Sequence, residues 1–335
     1  MSESGAVVVL APNWLGDAVM ALPAVADLRR HFSATRLVVA ARASVGSLFT
    51  LVPGIDSIVS AEASSIRGSG ASTAVLLPNS FASAWVAKRS GVPERWGYAA
   101  DLRRLILTRA IPRPTARMHQ SEYYQHLVRA LGIENGPREA ALAIPPEAVG
   151  EARTLLTEHG WKAESSLAVL APGAAYGKAK QWIPTHVVRL TTDLVRGRGM
   201  TCAFVGSGGD AATIRAIRGA APADCQPSIL DLAGLTTLPV LAAVMTLASV
   251  CVSNDSGAMH LAAAAGVPTV AIFGPTSERA TAPLARAQVT IEVLTNPVWC
   301  RPCMLRECPI DHRCMTGIEP RHVLAAIDRV ARAVA

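Results

Sequence analysis

Two short stretches set acidic and glycine residues at the spacing of a strand-to-helix turn, one of them with a serine and a histidine besides. Asn254-Asp255-Ser256-Gly257-Ala258-Met259-His260 leaves an apolar run, Val250–Ser253, and enters an alanine-rich one. Such a turn offers unpaired backbone N–H groups and the positive end of a helix dipole, which together favour a phosphate. Ser256 adds a hydroxyl, Gly257 lets an anion approach the backbone, and His260 lies one helical turn on, within reach of a pyrophosphate. The same residues also suit a plain helix start, with Asp255 or Ser256 as N-cap and His260 half-buried. Spacing alone leaves both readings open.

Gly16-Asp17 occupies a comparable turn near the start of the chain. A carboxylate held rigidly there can take a proton from an incoming hydroxyl, and the helix dipole favours its charged form. As a simple N-cap it would do no chemistry. Lys178 and Lys180 follow the run Leu167–Leu170; a lysine there can act as a point charge on phosphate or be a solvated surface residue. Gly206-Ser-Gly-Gly-Asp210-Ala211 fits G-x-G-x-x-A after Thr201–Val205, a weak dinucleotide signal in which Asp210 would hold a ribose hydroxyl or cap a helix. An oxidoreductase would rest on that turn alone. Four of the seven cysteines fall in Cys300-x2-Cys303-x4-Cys308-x5-Cys314, with His312 among them. This density suits a structural metal or a disulfide staple, although the spacing is not a common zinc pattern. Cys202 and Cys251 fall in strand-like runs and read as small core residues.

These residues need elements to position them. Val7–Leu10, Leu37–Ala40 and Ala74–Leu77 read as strands, with helices expected from the Asp17 turn to about Phe32 and from Ser80 to about Arg89. The polar, proline-bearing stretch 136–164 reads as a boundary, which gives domains of 1–160 and 161–335. Beyond it the alternation restarts: Leu167–Leu170, helix Pro184–Arg196, Thr201–Val205, helix Leu238–Ala248, Val250–Ser253, helix Ser256–Ala265, Thr269–Phe273 and helix Pro320–Ala335. Stacked βαβ units of this kind predict α/β architecture, with ligands at the carboxyl ends of the strands.

Composition narrows the function class. Of 335 residues, 50% are hydrophobic and 17% charged, enough apolar surface for two cores. The net charge of +7 favours an anionic partner, but the basic residues neither cluster nor alternate with aromatics, so no nucleic-acid partner is expected. The start of the chain lacks a signal-peptide pattern, and the longest apolar stretch, Leu238–Val252, is too short and too polar for a transmembrane segment. A cytoplasmic protein is expected, with any membrane contact peripheral.

Seven motifs, in order over nearly the whole chain, carry a family resemblance. Ala11-Pro-Asn-Trp-Leu-Gly-Asp-Ala-Val-Met20, Leu76-Leu-Pro-Asn-Ser-Phe81, Pro172-Gly-Ala174, Lys180-Gln-Trp-Ile-Pro184, Leu232-Ala-Gly234, Asn254-Asp-Ser-Gly-Ala-Met-His260 and Phe273-Gly-Pro-Thr276 resemble the ADP-heptose:lipopolysaccharide heptosyltransferases, and within them the heptosyltransferase II branch. The resemblance implies a GT-B fold, two Rossmann-like doubly wound domains facing a central cleft, the first for acceptor and the second for ADP-sugar. It also implies inverting transfer of heptose from ADP-heptose to the lipid A core, with no metal or other cofactor. The branch transferring the first heptose, or a relative using another nucleotide sugar, is the alternative. Carried over, Asp17 becomes the general base and Lys180 a phosphate ligand. Asn254, Asp255, Ser256, Gly257 and His260 become the pyrophosphate loop, with Asp210 near the ribose. Asn13 and Asn79, inside the motifs, join the substrate-binding set. The basic first half, including Arg103, Arg104, Arg109 and Arg113, is expected to meet phosphates and carboxylates of the acceptor.

Overall fold

Valine, leucine and alanine dominate the central strands because these are covered on both faces. The computed structural model describes residues 5–332; the first four residues, and the last three of the helix expected over Pro320–Ala335, lie outside that range. The chain divides into two compact units, one up to Ala143 and one from Ile144.

The first unit contains six strands: β1 Ala6–Leu10, β2 Leu37–Ala41, β3 Ser57–Ser60, β4 Ala71–Leu76, β5 Glu94–Tyr98 and β6 Arg109–Ile111. They pair in the order β3-β2-β1-β4-β5-β6, all parallel. Alternation along β1 serves both faces: Val7 and Val9 pack with Leu28, Tyr124 and Leu127, whereas Ala6, Val8 and Leu10 pack with Ile66, Ala84 and Ala87. The first face is closed by the helices Leu15–His31 and Gln120–Ala130, tied together by the buried Asp27. Its carboxylate accepts from Gln125 Nε2 at 2.9 Å and from the Gly136 N–H at 2.9 Å, so this buried charge is well solvated by protein donors.

The second unit repeats the plan with β7 Leu167–Ala171, β8 Thr201–Phe204, β9 Ile229–Asp231, β10 Val250–Asn254, β11 Thr269–Phe273 and β12 Ile291–Thr295. The parallel order β12-β11-β10-β7-β8-β9 is the same arrangement read from the other edge. Both sheets thus have the Rossmann strand order, and both reverse direction between their first and fourth strands. Ala168, Leu170, Val270 and Ile272 face a core shared with Trp182, Leu190 and the helix Pro320–Arg332, while Ala271 and Phe273 face Met259.

The division after Ala143 differs from the boundary expected at 160/161. The segment from Pro146 to Glu158 is a helix, begun by Pro146 at a position where its missing N–H is harmless, and it packs on the helix Leu238–Thr246 of the second unit. Its buried Ala148, Ala152 and Leu156 recur at helical spacing. Among the described residues no helix is long and apolar enough to cross a membrane.

Candidate functional site

The reversal points place four loops in prominent positions: those after β1 and β4 in the first unit and those after β7 and β10 in the second. Every motif singled out for chemistry, the Cys300–Cys314 segment excepted, sits at the carboxyl end of a strand or in the helix that follows.

In the first unit, the loop after β1 turns into the helix Leu15–His31. Its N-cap is Trp14, without a side-chain cap bond, and Asp17 lies inside the first turn. Asp17 is therefore not a cap. Its carboxylate is hydrogen-bonded to the phenol of Tyr124, a buried residue of the helix Gln120–Ala130. Burial, the nearby Asp17 charge and this bond together hold the Tyr124 phenol well above its ordinary range, so it remains a donor. The neighbouring Tyr123 hydroxyl accepts from Asn79 Nδ2 at 3.0 Å, in the loop after β4. Consecutive tyrosines on one helix thus fix both Asp17 and Asn79. The Asn79 Oδ1 atom is buried and has no protein partner, an acceptor left for a ligand hydroxyl. Neither tyrosine is evident from the sequence, because this helix carries no contiguous apolar run. Asn13 is exposed beside Trp14, which is itself 58% exposed.

Arg103 departs from its expected role. It is fully buried, where the Arg103 Nε donates to Tyr98 O at 2.9 Å and Nη1 reaches Pro78 O and the Ser83 hydroxyl. Burial pulls its guanidinium down to about 10, still charged at neutral pH. Arg103 holds the loop after β4 from below; it does not present charge to an acceptor. Arg104 is exposed, as are Arg109 and Arg113.

In the second unit, three strand ends converge on one buried ion pair. Lys180 Nζ lies 2.6 Å from Asp255 Oδ2, with the two side chains 13% and 5% exposed. The Thr276 hydroxyl, after β11, donates to the same oxygen at 2.5 Å. Asn254 stitches the loops: Oδ1 accepts from the Trp182 N–H at 3.1 Å and Nδ2 donates to Pro172 O at 2.5 Å. Ser256 is the N-cap of the helix Gly257–Ala264 and accepts from the Ala258 N–H at 3.4 Å, while Ser253 Oγ lies 3.1 Å from its hydroxyl. Of the two residues read as caps, Ser256 caps and Asp255 holds the lysine. His260 is 4% exposed, which leaves it little surface for a ligand.

Asp210 completes a capping box in which Ser207 is the cap: its carboxylate accepts from the Ser207 N–H at 2.8 Å and the Ser207 hydroxyl at 2.7 Å. Gly173 has room for no side chain because a Cβ there would run into that carboxylate, so Asp210 lies against the loop after β7.

The cysteine-bearing segment braces the same region. Arg306 O accepts from the Ala179 N–H at 2.9 Å, and Met304 N–H donates to Pro275 O at 2.9 Å. Arg301 donates to Gly274 O at 2.8 Å and Thr276 O at 3.0 Å, and pairs with Glu278. Tyr176 carries two cations over its ring, Lys180 Nζ at 4.8 Å and the Arg306 guanidinium at 5.4 Å. All seven cysteines are free thiols. Burial, then the neighbouring Cys300, Cys308 and Cys303, raise Cys314. Among the described residues no group of three His, Cys, Asp or Glu side chains is gathered as a metal site.

A carboxylate poised by a phenol in one unit, and a cation beside a capped helix start in the other, suit proton abstraction and binding of an anionic leaving group. The lipopolysaccharide heptosyltransferase 2 of Salmonella typhimurium is 26% identical over 87% of this chain and 88% of its own. The lipooligosaccharide heptosyltransferase 2 of Haemophilus influenzae is 30% identical over 66% and 65%. The structure of Escherichia coli ADP-heptose lps heptosyltransferase II superposes with a TM-score of 0.83, at 25% identity and 98% coverage of both chains. Residues 28–313 match the description of glycosyltransferase family 9 (heptosyltransferase), and the chain belongs to that family.

Proposed function

We propose that this glycosyltransferase moves heptose from ADP-heptose to heptosyl-Kdo2-lipid A, the inner core of lipopolysaccharide, with inversion at the anomeric carbon. The observation that carries this reading is the division of chemistry between the units: the Asp17–Tyr124 pair in the first, the Lys180–Asp255–Thr276 cluster beside the Ser256 cap in the second. Asp17 takes the proton of the acceptor hydroxyl as its oxygen bonds to the anomeric carbon. The bond from that carbon to the phosphate oxygen breaks, and its electron pair leaves with ADP. Lys180 and the helix start at Gly257 stabilise the departing charge, a preorganised electrostatic arrangement. Asn79 Oδ1 accepts from an acceptor hydroxyl, and Asp210, against the loop after β7, takes a ribose hydroxyl. The acceptor is a membrane lipid, so the enzyme works peripherally at the cytoplasmic face of the inner membrane.

A mass-resolved transfer assay tests the reading. ADP-heptose is supplied with Kdo2-lipid A and, separately, with its monoheptosylated form, each with and without chelator. One added heptose on the second acceptor only, insensitive to chelator, is the expected result. Transfer to the heptose-free acceptor would reassign the enzyme to the first step.

A further inference from the structure

The loop after β5 exposes apolar side chains at a conformational cost. Asp101 and Leu102 both adopt positive φ, 48° and 58°, a region non-glycine residues avoid. Leu102 and Leu105 are 92% and 96% exposed, while Arg103 between them is fully buried. Arg103 is the root of this hook, bonded to Tyr98 O, Pro78 O and Ser83. A strained turn rooted by a buried charge, only to hold two leucines in water, is not explained by stability.

The hook has neighbours of the same character. The Asp101 carboxylate accepts from the Phe81 N–H at 2.5 Å, which sets the hook beside the helix Phe81–Arg89. Phe81 and Trp85 there are 43% and 44% exposed and stack at 6.2 Å, with Lys88 Nζ 5.7 Å from the Trp85 ring. Exposed Arg104 and Arg89 add positive charge. Leucine, phenylalanine and tryptophan side chains among lysine and arginine suit the headgroup–acyl boundary of an anionic bilayer, where apolar insertion and charge attraction act together. The one acidic side chain within the hook, Asp101, turns its charge onto the Phe81 N–H.

We propose that Leu102 and Leu105, with Phe81, Trp85 and Arg104, dock the protein on an anionic lipid surface. This deepens the peripheral placement given above and rests on it for its meaning. It is tested separately from transfer. The full chain is sedimented with vesicles of phosphatidylcholine, with and without 30% phosphatidylglycerol, as wild type and as the Leu102→Ser/Leu105→Ser variant. Both leucines are solvent-exposed, so the variant keeps its melting temperature. The expected result is binding to anionic vesicles that falls at least about tenfold in the variant, since partial burial of two leucines is worth a factor of that order or more. Arg104→Ala weakens binding about fivefold, on the anionic vesicles only. Transfer to a deacylated acceptor in solution, run in parallel, stays unchanged in the leucine variant. The proposal is overturned if the variant binds vesicles as wild type does, if wild type binds none, or if wild type dimerises and the variant does not, which would make the patch a contact between copies. Failure of wild type to transfer heptose to any acceptor would instead sink the transferase reading and leave the vesicle result to stand by itself.

Discussion

At the scale of single residues, Asp17 and Tyr124 make the sharpest expectations. Asp17→Asn keeps shape but loses the base; kcat is expected to fall about 10²- to 10⁴-fold while ADP still binds. Tyr124→Phe removes a donor to the carboxylate, so a smaller loss is expected, about tenfold, with the acid limb of the pH–rate profile moved to higher pH. A profile unchanged in Tyr124→Phe would show that the phenol does not poise the base. Removing one partner of the Lys180–Asp255 pair strands the other charge in a nearly closed site. Asp255→Ala should therefore cost about 3 kcal/mol in denaturant unfolding. Arg103→Ala removes a buried hydrogen-bonding root and should lower the melting temperature; an effect on acceptor KM without loss of stability would contradict its buried role. Asp17, Lys180 and Asp255 draw attention in the sequence because each stands in a turn of distinctive residue types, but their partners, Tyr124 for Asp17 and each other for Lys180 and Asp255, are visible only in the fold. Arg103 was misjudged because a run of arginines looks solvated wherever the third dimension is hidden. Tyr123 and Tyr124 were missed, and Thr276 stood in a motif without a role, because their partners lie far off in the chain.

Among elements, the strands buried on both faces were readable almost to the residue, as in Val7–Leu10 and Thr269–Phe273. The strands towards the sheet's far side were not. Glu94–Tyr98, paired on both sides, and the edge strand Arg109–Ile111 carry charges and are partly exposed, so they lack the apolar run that marks a central strand. The helix Gln120–Ala130 hides its apolar residues among polar ones, and Pro145 and Pro146 make the stretch that holds the helix Pro146–Glu158 read as a boundary. The cysteine-bearing segment stands out for its thiols, yet its backbone and the Arg301 side chain do the bracing. It also brings Arg306 to the Tyr176 ring beside Lys180, a second cation next to the one paired with Asp255. Arg306→Ala is expected to raise the Kd for ADP about tenfold, the worth of one charge-assisted contact, and to leave adenosine binding alone. Equal loss for both ligands in a calorimetric titration would indicate damage to the loop instead.

For the molecule as a whole, two buried strand thiols set an alkaline limit. Burial pushes Cys202 and Cys251 up from 9.0 to about 12. Between those values the unfolded chain loses protons that the folded chain retains, so stability is full below pH 9 and declines as pH rises towards 12. Each thiol contributes up to about 1.4 kcal/mol per pH unit in that window. Denaturant midpoints at pH 8 and pH 10 should therefore differ, and Cys202→Ala/Cys251→Ala should shrink the difference.

The helix Pro146–Glu158 decides where the chain can be cut. Its apolar stripe covers the helix Leu238–Thr246, so a fragment beginning at residue 144 carries its own lid and should express as a monomer that binds ADP. One beginning at residue 161 bares that surface and should collect in inclusion bodies. A soluble, ADP-binding 161–335 fragment would mean the lid is dispensable.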